Sequence, residues 1–369
     1  MEVYLDNAAS TKVDKNVVAQ MQKVMLNQYG NPSSIHAKGE EARELIENTR
    51  ELIARKLNCS SEEVYFTSGA TESNNLAIRG LLANTKNKNI VCSAIEHDSV
   101  LTLFKQLEKE GYNVKVIPVD KEGYVKDLNK YVTSKTALVA VMHVNNEIGT
   151  IEDIQKISQL CVKNKVLFHC DAVQSFTKVP IDLKKIKVST MAMSGHKIYG
   201  PKGVGALYVS KNVKLNPLFY GGHQENELRP GTENVPGIIG FGEAVKLDSK
   251  VDQISKLRDY FIKKLLNING VELNGPKKRL CNNVNVSFDN VVGETLLFHL
   301  NLKNIYVSTG AACSSKEVGV SHVLTAIGLS RKKANSSIRF SLSKDTTKKD
   351  IDYVVKEINS IVEILRKAR

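Results

Sequence analysis

Apolar residues along this chain fall into short runs separated by longer stretches of helical period. Val3-Tyr4-Leu5, Glu62 to Phe66, Asn89 to Ser93, Val114 to Val119, Ala137 to His143, Lys165 to Cys170, Thr190 to Met193 and Ala206 to Val209 are brief and apolar, so each reads as a strand. Between them, Ala42, Leu45, Ile46, Leu52, Ile53 and Leu57 recur on one face, which predicts an amphipathic helix over residues 37–57. Asp98 to Lys109 and Glu152 to Lys163 carry the same period. Alternation of strand and helix argues a mainly parallel α/β sheet.

Past Ser210 the pattern changes. Leu218 to Asn234 is a glycine-rich, charged excursion, followed by a long helix from about Ile238 to Leu266 with a break near Ser249. Strand Val284 to Phe288, helix Glu294 to Leu302, strands Ile305 to Ser308 and Ser337 to Leu342, and a last helix to Lys367 then read as a smaller α+β unit. A chain of 369 residues predicts about two domains. The division expected is a large domain over 15–250, with 1–14 and 251–369 forming the small one. No low-complexity linker or internal repeat interrupts the chain.

Composition narrows the function classes. A hydrophobic content of 42% with 25% charged residues is that of a soluble globular protein. No apolar run approaches the ~20 residues of a membrane span, and Met1 to Asp6 is no signal peptide, so a cytoplasmic protein is expected. The six cysteines form no C-x-x-C pair, which argues against a disulfide framework or structural zinc. Lys184-Lys185, Arg331-Lys332-Lys333 and Lys348-Lys349 are short clusters without interleaved aromatics. The net charge of +13 therefore reads as a solvated lysine surface that steers anionic ligands, with no direct nucleic-acid binding expected.

Candidate chemistry gathers where strands end. Lys197 follows the Thr190–Met193 strand and precedes three glycines and a proline within six residues. It reads either as a Schiff-base lysine or as an ordinary solvated loop lysine. A desolvated pocket, or a neighbouring cation such as a protonated His196, lowers a lysine pKa enough for nucleophilic work. Thr67 to Asn75 joins a strand to a helix through small residues, an anion site or equally a capping box. His97 stands at a strand end, suited to stacking on a flat ring, to moving a proton or to a structural role. Asn145-Asn146-Glu147, Asp171 and Gln174 occupy further strand ends, where ligands of such sheets collect. Asp171 suits a cationic ring nitrogen or a helix N-cap. In the smaller unit, Ser308 to Gly319 surrounds Cys313 with small residues and has no periodicity, the signature of a mobile exposed loop with a reactive thiol. Arg339 alternates with apolar neighbours on a strand, so it needs an anion, either a substrate carboxylate or a salt-bridge partner.

Nine of these segments, in order and at matching spacing, resemble the NifS/IscS-like cysteine desulfurases, pyridoxal-phosphate (PLP) enzymes related to class V aminotransferases. They are Leu5 to Ala9, Thr67 to Ser73, Glu96-His97, Asn145 to Gly149, Asp171 to Gln174, Ser194 to Lys197, Gly231-Thr232, Ala312-Cys313 and Ser337 to Phe340. The resemblance implies the fold-type I PLP-dependent transferase fold, with a mainly parallel seven-stranded sheet in the large domain. It implies that Lys197 binds the cofactor and acts as base, Asp171 pairs with the ring nitrogen, Gln174 donates to the ring oxygen and His97 stacks on the ring. Ala70, Thr71, Ser194 and His196 would hold the phosphate, with Thr232 supplied by the other subunit of a homodimer. Asn146 would help bind cofactor and substrate, Arg339 would clamp the L-cysteine carboxylate, and Cys313 would take the sulfur as a persulfide, releasing L-alanine. A sulfur acceptor such as an iron–sulfur scaffold is the implied partner. No resident metal is implied, although Cys313 would transiently ligate a cluster shared with that scaffold. The alternative is a selenocysteine lyase or another class V aminotransferase-like enzyme.

Overall fold

The computed structural model describes residues 1–309 and 320–367. Its centre is a seven-stranded sheet in the order Val64–Thr67, Gly205–Val209, Thr190–Ser194, Leu167–Asp171, Leu138–Ala140, Asn89–Ser93, Asn113–Ile117. Gly205–Val209 runs antiparallel to both neighbours, and the remaining pairs are parallel. Thr190–Ser194 and Gly205–Val209 are buried at every residue. A sheet covered on both faces requires such continuous apolar runs.

Successive strand residues point to opposite faces, and the two cores divide accordingly. Ile90, Cys92, Leu138 and Ala140 pack with Ile78 and Phe104 from helices Ala70–Leu82 and Asp98–Lys109. Val91, Val139, Phe168 and Met191 face Ile157 and Phe241 from helices Ile154–Asn164 and Val235–Lys246. The C-terminal ends of the parallel strands all open on one edge.

Two smaller sheets stand at that edge. Ser337–Ser341, Asn283–Phe288 and Val271–Leu273 pair antiparallel, while Val3–Tyr4 pairs parallel with Ile305–Tyr306. Bridges from Asp6 to Ser341 and from Ser308 to Arg339 join them. Their core is separate, built on Phe261, Phe288, Phe340 and the Lys348–Lys367 helix through Ile351, Val354 and Ile358.

The Ala37–Leu57 and Asp98–Lys109 helices match the sequence expectation at both ends. Other elements differ. A helix at Lys15–Asn27 was not predicted, because Val17 and Val24 alone are buried while Val18, Met25 and Leu26 face outward, leaving no apolar stripe. It packs so closely on the Val235–Lys246 helix that a Cβ at Gly240 would lie 2.6 Å from the Met21 sulfur. The strand expected at Glu62 begins at Val64, after a single 3-10 turn. The long C-terminal helix is two helices, Val235–Lys246 and Val251–Leu266, separated at the expected break.

The charged excursion after Leu218 is tied down by one buried ion pair. Arg50 donates two parallel hydrogen bonds to Glu225, at 2.7 and 2.8 Å, and Glu225 also accepts from the Phe66 amide at 2.7 Å. The guanidinium lies 4.8 Å over the Phe66 ring. Burial acts to lower the Arg50 pKa, but the Glu225 carboxylate more than offsets it and the net direction is up. Glu225, Asn226 and Glu227 all take left-handed backbone to reach this arrangement. Glu225→Ala would strand a buried guanidinium and is expected to lower unfolding free energy by about 3–5 kcal/mol. Urea unfolding of the two proteins measures this; an unchanged midpoint would show that the pair does not hold the excursion.

Candidate active site

A cavity of about 500 Å³ opens where the strand ends, the N-terminus of the Ala70–Leu82 helix and the Ser337–Ser341 strand converge. Its walls include Ala70, Thr71, His97, Asn146, Asp171, Gln174, Ser194, His196, Lys197 and Arg339. Ten positions singled out in the sequence therefore share one cavity.

Asp171 is held by a chain of hydrogen bonds. Its carboxylate accepts from the Asn74 side-chain amide at 3.0 Å and from the Val173 backbone N–H at 3.0 Å. The helix N-cap expected as the alternative is not found, because a turn and no helix follows Asp171, and the second bond closes that turn. Asn74 also donates to Ser99 Oγ, and its oxygen meets His169 Nε2 at 2.9 Å. Burial pushes the His169 pKa down to about 4, so the ring is neutral and its Nε2–H is the donor that fixes the Asn74 amide. Ser99 continues the chain to His97 Nδ1, which caps the Asp98–Lys109 helix. His97 is thus both a structural cap and a cavity wall.

The opposite end is built for an anion. Gly69, N-cap of the 13-residue helix beginning at Ala70, has no side-chain cap bond, so amide donors of the first turn remain for a ligand. Gly205 is pressed against it: a Cβ there would lie 2.8 Å from the Gly69 Cα. Ser194, His196, Lys202 and Gly203 complete this end. One expectation is corrected here. His196 is not the cation that assists Lys197, because burial, then Lys197, Lys202 and Lys178, push its pKa down to about 4 and leave it neutral.

Lys197 ends a 3-10 turn between two wholly buried strands. Its Nζ donates to the Ala8 and Ala9 carbonyls, each at 2.7 Å, and Gln174 donates to Ala8 as well. Arg339 pairs with Asp6 at 2.8 Å and reaches the Asn146 carbonyl at 3.3 Å. Its Nε is buried without a partner among the described residues. The salt-bridge reading of Arg339 is met through Asp6, both Nη groups are bonded, and Nε alone is left without a partner among the described residues.

Two acids behind this wall are held protonated. Burial raises Glu96 to about 8; it accepts from Ser93 Oγ at 2.5 Å and Met142 N at 2.8 Å. Burial raises Glu147 to about 7, and Ser321 donates to it at 2.6 Å.

Thr232 is exposed and does not line this cavity; it follows Arg229, whose guanidinium pairs with cavity residue Glu72 at 2.9 Å. Cys313 lies outside the described residues. Those flanking it are fixed: Ser308 exchanges two backbone hydrogen bonds with Arg339, and His322 bonds the Glu96 carbonyl at 3.0 Å. Cys170 is fully buried in the core. Asn74, His169, Lys202 and Asp6 were not foreseen in these roles. For Asn74 and Asp6, membership of the quoted segments was the available signal.

These groups fit PLP. An anion end, a carboxylate positioned for a cationic ring nitrogen, a flat histidine wall and a primary amine complement its phosphate, pyridinium, ring face and aldehyde. The aminotransferase class-V family profile matches residues 3–354. The chain is 47% identical over 376 residues to the cysteine desulfurase IscS of Dictyoglomus turgidum, covering 99% of this chain and 95% of that one. A solved NifS-like protein superposes with a TM-score of 0.92 at 39% identity, covering 99% of this chain and all of the other. The structure of SspA in complex with cysteine gives 0.84 at 36% identity, over 94% and 100%. With the fold, the cavity and nearly the whole length in agreement, the chain belongs to the aminotransferase class-V family, on its NifS/IscS-like branch.

Proposed function

We propose that the chain is a PLP-dependent cysteine desulfurase, releasing L-alanine from L-cysteine and leaving a persulfide on Cys313 for an acceptor. The observation that carries this reading is a lysine amine and a half-satisfied buried guanidinium facing one cavity whose far wall is a fixed carboxylate. Bound PLP supplies an electron sink for the substrate carbon skeleton.

The protein's own groups divide the remaining work. Lys197 holds the cofactor aldehyde and later moves the proton at the substrate α-carbon. With the cofactor bound, Asp171 would keep the proton on the ring nitrogen, Gln174 would donate to the ring oxygen and His97 would stack on the ring. Ala70, Thr71, Ser194 and His196 hold the phosphate, with Lys202 adding charge. Asn146 contacts cofactor and substrate, while Arg339 takes the substrate carboxylate. The Cys313 thiolate attacks the substrate sulfur; an S–S bond forms as the Cβ–S bond breaks.

We further infer a homodimer, with the partner subunit supplying Thr232. Tyr29, Ile35 and Tyr220, at 78%, 100% and 89% exposed, are apolar surface that a second copy would cover. Tyr220 belongs to the same excursion as Thr232, whose Gly231 amide bonds Gln224. The two hydrophobic cores support a large domain at 15–250 and a small one at 1–14 and 251–369. A cytoplasmic setting is supported by the five described cysteines being free thiols and by the absence, among the described residues, of any helix long and apolar enough to cross a membrane. The acceptor we infer is an iron–sulfur scaffold or a tRNA-thiolation partner.

Purified protein should be yellow, and Lys197→Ala should lose the absorbance band; a band that survived would remove Lys197 from its assigned role. Cys313→Ala should keep the colour while alanine and sulfide production from cysteine collapses. Undiminished turnover would instead favour a lyase that needs no thiol, and selenocysteine turnover measured alongside would identify it. Arg339→Ala should raise the KM for L-cysteine ~10–100-fold, the size of a lost charged hydrogen bond; an unchanged KM would place the carboxylate elsewhere.

A further inference from the structure

Lysine chemistry in this cavity needs an amine that loses its proton readily, and the histidine that might have supplied repulsion is neutral. The structure offers another cation. After the Leu167–Asp171 strand, the chain turns tightly: Phe176 bonds back to Ala172, and Lys178 and Val179 to Ser175. Thr177 adopts left-handed backbone, with φ 66°, at the residue before Lys178. The Lys178 side chain then runs inward, and Nζ donates to the carbonyl of Gln174 at 3.2 Å and to that of Lys197 at 3.1 Å.

Lys178 has no carboxylate within ion-pair distance among the described residues. Lys178 is half-buried, and withdrawing even part of a cation from water without a counter-ion is unfavourable. An arrangement whose sole polar return was two carbonyl bonds would be served as well by a neutral donor. The groups around it reinforce the point. Cys281 acts on it, but burial raises that thiol's pKa and keeps it neutral, although Lys178 and Arg258 both act to lower it. His196 feels Lys178 together with Lys197 and Lys202. Positive charge is therefore concentrated behind the Lys197 backbone with little to screen it.

We propose that Lys178 is a positioning residue for Lys197: its ammonium locks the backbone carbonyl of that lysine and holds uncompensated positive charge behind it, making the Lys197 nitrogen easier to deprotonate. The inference rests on Lys197 being the amine that binds the cofactor. Burial lowers Lys178 itself to about 8, so the charge is largely present at neutral pH and fades as pH rises through that value.

Lys178→Gln, Lys178→Met and Lys178→Arg separate hydrogen bond from charge. Gln keeps a donor for the carbonyls, Met keeps only the volume and Arg keeps the charge. The pH midpoint of the cofactor absorbance in each holoprotein is the first readout. The second is the pH dependence of Lys197 labelling by an amine-selective reagent in each apoprotein, followed by mass spectrometry. Both midpoints should rise by about one pH unit in the Gln and Met variants, the scale of one charge at low effective dielectric, and stay near the parent value in the Arg variant. Midpoints coinciding with the parent in folded Gln and Met variants would overturn the proposal. So would failure of both neutral variants to fold while the Arg variant folds, since the charge would then serve the fold. If Lys197 were not the cofactor lysine, Lys197→Ala would keep its band, an outcome distinct from any of these.

Discussion

Residues 6–11 are the constraint on which the site depends, because this short segment is hydrogen-bonded to both sheet systems at once. Asp6 pairs with Arg339, while the Asn7 amide and the Ala8 N–H bond Ser341 of the same strand. In the other direction the Ala8 and Ala9 carbonyls accept from Lys197, Ala8 accepts from Gln174, and Thr11 bonds the His196 carbonyl and the Tyr199 amide. A cavity whose amine comes from one sheet and whose guanidinium comes from another needs a common reference. Here the reference is backbone, which cannot change rotamer. Side chains gripping each other directly would leave the relative position of amine and guanidinium to two flexible stems.

Burial then sets protonation across the wall. Desolvation holds His143, His169 and His196 neutral and raises Glu96 to about 8 and Glu147 to about 7. The histidines near Asp171 and Arg339 thus add little charge of their own, and the ions that remain act over a longer range than they would in water. The +13 surface acts outside this region and bears on how an anionic ligand approaches.

Much of the architecture was legible because its signals are local. Strand ends, the Asp98–Lys109 helix and the small-residue turn before Ala70 follow from period and capping within a dozen residues. The Lys15–Asn27 helix was not legible, since its outward apolar residues erase the stripe that a lone helix would show. Within the site, Asp171 could be read from its strand, but Asn74, which fixes it, stands 97 positions away. Asp6 and Arg339 are separated by 333 positions. A polar pair of that kind leaves no periodic trace in either segment. His196 misled for a related reason: its place beside Lys197 is local, whereas its neutrality comes from burial by the assembled fold.

Arg339 shows how far an either-or reading of a buried arginine can be dissolved by geometry. A guanidinium has five donors in a planar fork, and a single carboxylate satisfies one edge. Asp6 and the Asn146 carbonyl take the Nη groups, which holds the plane still without filling Nε. The backbone of the same residue exchanges two hydrogen bonds with Ser308, at the near side of the segment that carries Cys313. On the far side Ser321 is bonded to Glu147, two residues after the Asn145 side chain that caps its turn. One attachment is therefore made to a residue of the cavity wall, Arg339, and the other to Glu147, which follows the wall residue Asn146. Any displacement of Arg339 is therefore also a displacement of Ser308.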